Sequence, residues 1–128
     1  MYINKEMTNA EIFAVAIALK DNFNDESLQM PAKASFCLAK NNALFLDLAQ
    51  EIEKTRNAVF AKYGTLNEEQ TGYNFTPDVI DIANKELDDL FNITQEVKIY
   101  LIDLDDLKDI KLSPQQMSIL MVMINDNE

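Results

Sequence analysis

The longest regular pattern in the chain runs from Pro31 to Tyr63. Inside it there is no glycine or further proline, and Ala, Leu, Lys, Glu and Gln dominate. The apolar positions Cys37, Leu44, Leu48, Ile52, Val59 and Tyr63 recur 7, 4, 4, 7 and 4 residues apart, which is one stripe of a helix. A second row, Ala34, Leu38, Phe45 and Ala49, widens the buried face, so the helix is expected to pack on two sides. Pro31 suits a first helical position and Gly64 a C-terminal stop, giving a rod roughly 45–50 Å long. Two polar residues, Asn41 and Thr55, interrupt the stripe.

The remaining elements arrange themselves around that helix. Thr8-Asn9-Ala10-Glu11 is a capping box with Met7 and Ile12 placed as a hydrophobic staple, and it opens a helix from about Asn9 to Lys20. Its inner face is Ile12, Val15, Ala16, Leu19 and Phe23. Asp21–Gln29 reads as a loop that returns the chain, so the first two helices form an antiparallel hairpin. Tyr2-Ile3 is a weak strand signal. Thr65–Gly72 is a polar loop, Tyr73–Phe75 a short strand, and Thr76-Pro77-Asp78 the capped start of a helix ending near Phe91-Asn92, with Ile80, Ala83, Leu87 and Leu90 inward.

Glu96–Leu104 alternates as a strand, with Val97, Ile99 and Leu101 on one face and Lys98, Tyr100 and Ile102 on the other. It is expected to pair with Tyr73–Phe75. Asp105–Ile110 reads as one helical turn, and Ser113-Pro114-Gln115-Gln116 opens a last helix whose Met117–Ile124 run is almost wholly apolar. The pattern predicts an α+β fold, mostly α. It comprises a long central helix in an antiparallel helical hairpin (8–63), then a small αβ part (73–128) with a two- or three-stranded antiparallel sheet and packed helices, all in one domain.

Composition narrows the chemistry. With no histidine among 128 residues, Ser/His/Asp and Cys/His catalysis fall away and zinc sites become improbable. The only glycines are Gly64 and Gly72, so no phosphate-cradling glycine loop is present. The single Cys37 lies on the helical stripe and reads as a buried structural thiol. There is no apolar run of membrane-spanning length and no signal-peptide pattern at the N-terminus, so a cytoplasmic protein without cofactor is expected.

A net charge of −11 argues against binding a nucleic-acid backbone and fits a partner with a basic surface. The charge is unevenly placed. Residues 1–31 carry two lysines against five acids, residues 32–62 five bases against three acids, and residues 63–128 four lysines against fourteen acids. The long helix is thus the one net-basic segment, either lying against acidic elements or offering a strip to an anionic ligand.

Two groups of residues invite function. Lys33, Lys40, Asn41 and Arg56, with Tyr63 or Tyr73, supply the cations and rings a nucleotide ligand needs, within one chain or across a homodimer. Asn41 has a second reading, as a core amide satisfied by the backbone of a neighbouring strand or loop. Asp103, Asp105, Asp106 and Asp109 form an acidic cluster without the glycine and glutamate of a calcium loop. They read as a solvated acidic turn and, with Met117 and Met121 of the methionine-rich helix, as a partner-binding surface or, for the methionines, core.

The segments Met30-Pro31-Ala32-Lys33-Ala34-Ser35-Phe36, Ala39-Lys40-Asn41, Glu51–Arg56 and Phe60-Ala61-Lys62-Tyr63-Gly64 resemble a family of short proteins encoded by phages and prophages of Gram-positive bacteria. The likeness continues through Asn84–Leu90, Val97–Leu101, Leu112-Ser113 and Leu120–Ile124. The resemblance implies a phage-infected cell as the setting and brings no catalytic residues. Three functions are then in view: a non-enzymatic accessory protein that inhibits or modulates a host protein, a sponge for a nucleotide immune signal, and an assembly chaperone.

Overall fold

The computed structural model describes residues 1–23 and 29–125. The chain adopts the expected α+β, mostly α class. In order it forms β1 (Tyr2–Thr8), α1 (Asn9–Asn22), α2 (Ala32–Tyr63), β2 (Thr65–Leu66), β3 (Tyr73–Asn74), α3 (Pro77–Phe91) and β4 (Thr94–Tyr100). There follow β5 (Ile102–Asp103), a 3-10 turn at Leu104–Leu107, α4 (Pro114–Leu120), a second 3-10 turn at Met121–Met123 and β6 (Ile124–Asn125).

The helical hairpin forms as the pattern predicts. Leu19 and Leu38 line one cavity, while at the other end the Arg56 guanidinium lies over the Phe13 ring, so α1 and α2 run antiparallel. The Thr8–Glu11 capping box is complete, and α1 extends two residues beyond the expected end, through Asp21 and Asn22. Residues 24–28 of the predicted loop lie outside the described residues. Pro31 is the N-cap of α2, not its first helical residue, with an extended ψ of 147°.

On α2 the most buried positions are Ala34, Cys37, Asn41, Phe45, Ala49 and Ile52. The buried line therefore runs between the two predicted rows and leaves Leu44 and Leu48 half-buried at its flank. Thr55, the second interruption, is exposed, and its hydroxyl donates to the Glu51 carbonyl one turn back at 3.2 Å. It marks where the stripe leaves the core. Ile12, Leu19, Phe45, Val97, Ile99, Ile102, Leu120 and Met123 make the centre of one apolar cluster that draws on α1, α2, β4 and the C-terminal elements.

The sheet differs from expectation. The strand around Val97 pairs antiparallel with β1, Tyr2 opposite Tyr100 through Thr8 opposite Thr94, and not with Tyr73–Phe75. Tyr73-Asn74 instead closes a two-residue ladder with Thr65-Leu66. The Asn67 carboxamide accepts from the Thr71 N–H at 3.0 Å, and the Asn67 N–H donates to the Gly72 carbonyl, which fold the intervening polar loop tightly enough for its ends to meet. The strand predicted to reach Leu104 breaks at Leu101. Ile102 is buried, not on the outer face, because the chain shifts there to pair parallel with Ile124. The described strands thus form three two-stranded ribbons, one of them parallel.

Two local readings also change. The Thr76 hydroxyl donates to the Asp78 carboxylate and caps no amide, although Pro77 does begin α3. The last helix stops at Leu120, since an almost uninterrupted apolar run has no preferred helical face. Leu120 and Met123 are buried while Met121 is 64% exposed. No helix of the described residues is long and apolar enough to cross a membrane.

Gly64 ends α2 in an extended conformation, so its glycine is not required by a left-handed turn. It is required by space: a Cβ there would sit 2.8 Å from both the Phe60 carbonyl and the Tyr73 Cβ. Gly64→Ala is expected to destabilise the protein by about 1–3 kcal/mol, read from chemical denaturation, because backbone must shift to admit the methyl group.

Candidate functional site

Asn41 lies one-third of the way along α2 and is fully buried. Its Nδ2 donates to the Tyr100 carbonyl at 2.8 Å, and its Oδ1 accepts from the Tyr100 N–H at 2.7 Å. Nδ2 also reaches the Met123 sulfur at 3.2 Å. The carboxamide thereby does for the last residue of β4 what a neighbouring strand would do, offering one donor and one acceptor to the same peptide. It is a core amide satisfied by the backbone of a neighbouring strand.

The other candidate ligand residues do not converge on it. Lys33 forms a 2.7 Å ion pair with Asp103. Lys40 is exposed, its ammonium 5.8 Å from the Phe36 ring centre and 5.9 Å from that of Tyr100. Arg56 sits between the Phe13 and Phe60 rings and pairs weakly with Glu53 at 3.6 Å. Tyr63 lies beneath the Lys62 ammonium, and Tyr73 packs on Phe60. From Lys33 to Tyr63 the helix rises roughly 45 Å, beyond the span of one nucleotide.

The acidic cluster is likewise divided. Asp103 in β5 binds Lys33 and accepts from the Asn125 carboxamide at 3.2 Å. Asp105 and Asp106 occupy the 3-10 turn and Asp109 the loop after it. Leu107 of that turn is buried while Leu104 is 49% exposed. Met117 lines a cavity of about 450 Å³ beside Leu107, Ile110 and Leu112, and Met121 points to solvent. Among the described residues no three acidic or thiol groups are placed to hold a metal ion.

The structure assembles an arrangement that the sequence reading missed. On the outer face of the β1–β4 ribbon Tyr2 stands opposite Tyr100, rings 6.2 Å apart, and the Lys98 ammonium lies 4.0 Å from the Tyr2 ring and 5.2 Å from that of Tyr100. Lys40 and the 60% exposed Phe36 extend this surface onto α2. Two ammonium groups without carboxylate partners among the described residues thus share a patch with three rings. The alternation of Lys98 and Tyr100 was the available signal; the 98-residue separation of Tyr2 from Tyr100 hid the rest.

A groove of about 510 Å³ also opens between α2 and α3, floored by Ala58, Val59, Leu90 and Ile93. Its walls carry the Lys62–Glu86 ion pair at 3.4 Å. Asn9 is the second buried polar residue. Its Nδ2 donates to the Leu90 carbonyl and its Oδ1 accepts from the Gln95 carboxamide, so the start of α1 is tied to the turn between α3 and β4.

Comparison with protein-family models, with curated proteins and with solved structures gave no match. The geometry therefore defines a fold class only, α+β and mostly α.

Asn41→Leu keeps the volume but leaves the Tyr100 N–H and carbonyl unpaired, and is expected to cost about 2–4 kcal/mol in urea denaturation. The Lys33–Asp103 pair sets a pH window. The hydrogen bond from Lys33, then that from Asn125, holds the Asp103 carboxyl below its ordinary value, while Asp103 raises Lys33. A depressed carboxyl contributes stability above its unfolded pKa and loses it as pH falls through the folded value; a raised amine contributes below its unfolded pKa and loses it on the alkaline side. The contribution is therefore constant between about pH 5 and pH 9. Asp103→Asn is expected to flatten both limbs of a stability-against-pH curve without changing its middle slope.

Proposed function

We propose that the protein is a small acidic accessory protein of a phage or prophage that acts by binding and not by catalysis. In this reading it engages a basic surface on a host protein in the cytoplasm of the infected cell and inhibits or modulates it, possible targets including defence effectors. The observation that carries the reading is the outward face of α3. Asp78, Asp81, Asp88 and Asp89 are exposed there around Lys85, with Ile82, itself 50% exposed, at their flank, and none of the four is in an ion pair among the described residues. Four acids against one lysine, with an exposed apolar residue beside them, suit a partner that supplies cations and an adjoining apolar contact.

The long helix supports the same reading. Of the acids in the second half of the chain, only Asp103 and Glu86 are drawn into ion pairs with it among the described residues, leaving the rest available. The test is affinity capture from host lysate at low and high salt. A partner retained at low salt, released by salt, and lost with Asp81→Lys/Asp88→Lys/Asp89→Lys is expected; recovery of no such partner would refute the proposal.

A nucleotide-sequestering reading draws on a different surface, the Lys40, Lys98 and tyrosine patch, and not on convergence of the cations of α2. A thermal-shift screen against mono-, di- and cyclic nucleotides decides it. A shift abolished by Lys98→Ala supports it, and no shift with any nucleotide removes it.

A further inference from the structure

We propose that β1 is a self-pairing edge, through which two copies of the chain join their β1–β4 ribbons into one four-stranded antiparallel sheet. The argument begins with which backbone groups are unused. The Leu101 N–H donates to the Met1 carbonyl at 3.0 Å and the Asn9 N–H to the Ile93 carbonyl at 2.9 Å, at the two ends of one continuous register. In an antiparallel ladder the bonded pairs alternate, so the odd-numbered residues of β1 exchange hydrogen bonds with β4 and the even-numbered ones face away. Two side-chain contacts agree with this phase. The Thr8 N–H, pointing away from β4, is taken by the Glu11 carboxylate at 3.0 Å. On β4 the outward groups of Tyr100 are taken by Asn41.

The fold therefore covers outward peptide groups at Thr8 and Tyr100. It leaves those of Tyr2, Asn4 and Glu6 on β1 without a partner among the described residues, and also those of Thr94, Glu96 and Lys98 on the far edge of β4, the edge that α2 reaches through Asn41. A seven-residue strand with a bare edge is a template for another strand. Met1, Tyr2 and Ile3 beside it are 77%, 52% and 40% exposed.

Charge selects a second copy as the occupant. Glu6 stands directly opposite Glu96 on the outer face, a like-charge pair with no cation bonded to either among the described residues. A two-fold axis perpendicular to the sheet keeps each face on its own side, so residues of equal parity meet. With Asn4 opposite Asn4 of the second copy, Tyr2 falls opposite Glu6 of the second copy. Lys98, whose ammonium rests 4.0 Å from the Tyr2 ring, then faces that carboxylate. The contact occurs twice by symmetry and relieves the Glu6–Glu96 repulsion in both copies. In this register Tyr2, Asn4 and Glu6 use all their outward N–H and carbonyl groups, and the contact is closed and self-complementary.

Sedimentation velocity of the whole chain over a range of concentrations is the test. A reversible monomer–dimer equilibrium is expected. Asn4→Pro removes an N–H that makes no bond among the described residues, so it should abolish the dimer and leave the thermal midpoint of the monomer nearly unchanged. Lys98→Glu, which leaves the backbone alone, should weaken association about tenfold, and Glu6→Lys with Lys98→Glu should restore it. A wild-type chain that stays monomeric at its highest soluble concentration overturns the proposal. So does a dimer indifferent to Asn4→Pro and to Lys98→Glu, which places the contact elsewhere, or a monomer whose edge captures only an extended peptide of another protein.

Discussion

The structure depends on a helix side chain taking the place of a strand. A two-stranded ribbon is marginal alone, and its outer peptide groups must be satisfied wherever the core covers them. At Tyr100 the ribbon meets α2, and an apolar residue at position 41 would bury a peptide N–H and carbonyl with no partner. The Asn41 carboxamide supplies a donor and an acceptor to that one peptide, so β4 is held at a fixed height along the long helix. Val97 and Ile99, buried on the inner face of β4, then meet the core residues of α1 and α2. β1 follows because its register is set on β4, and α1 follows because its N-cap is the last residue of β1.

Features decided within a few residues were legible in the sequence. Both capping boxes, Thr8 with Glu11 and Ser113 with Gln116, form as written, because the groups they satisfy lie three residues away. The start of α3 at Pro77, the end of α2 at Tyr63 and the inward positions Ile12, Ala16, Leu19 and Ala83 belong to the same category. Features decided by pairing across the chain were not. β1 gave a weak signal because five of its seven residues are exposed, and with only Met7 buried the alternation of a half-buried strand is absent. Alternation alone puts Ile102 on the outer face, because its partner, Ile124, lies in a run whose uniform apolarity hides the change from helix to strand.

The candidate site divides along the same line. That Asn41 was unusual could be read from its place on an apolar stripe, and its partner was legible only as some backbone nearby. Lys33 and Asp103 were both singled out, one for an anion and the other for a basic partner, and they bind each other. Their separation of 70 residues made that pairing invisible to any reading based on spacing. The charge asymmetry between the helix and the second half of the chain was visible as composition, and part of it is internal complementarity, as the ion pairs of Lys33 and Lys62 show.

What remains after internal pairing explains why surfaces, not a cleft, carry the functional argument. α2 uses Lys33, Arg56 and Lys62 on carboxylates and rings of its own chain, and Asn41 on β4, so these four are committed to structure while Lys40 joins the ribbon's cations. The uncommitted groups lie on the two layers that flank it, the acidic outward side of α3 and the lysine and tyrosine face of the β1–β4 ribbon. These surfaces sit on elements added at different heights along one basic rod, β4 beside Asn41 and α3 beside Thr55, Val59 and Lys62. A protein built this way can hold its own halves together by charge and still present acid on one side and cations with rings on another. Each surface can change without disturbing the Asn41 contact that holds the frame.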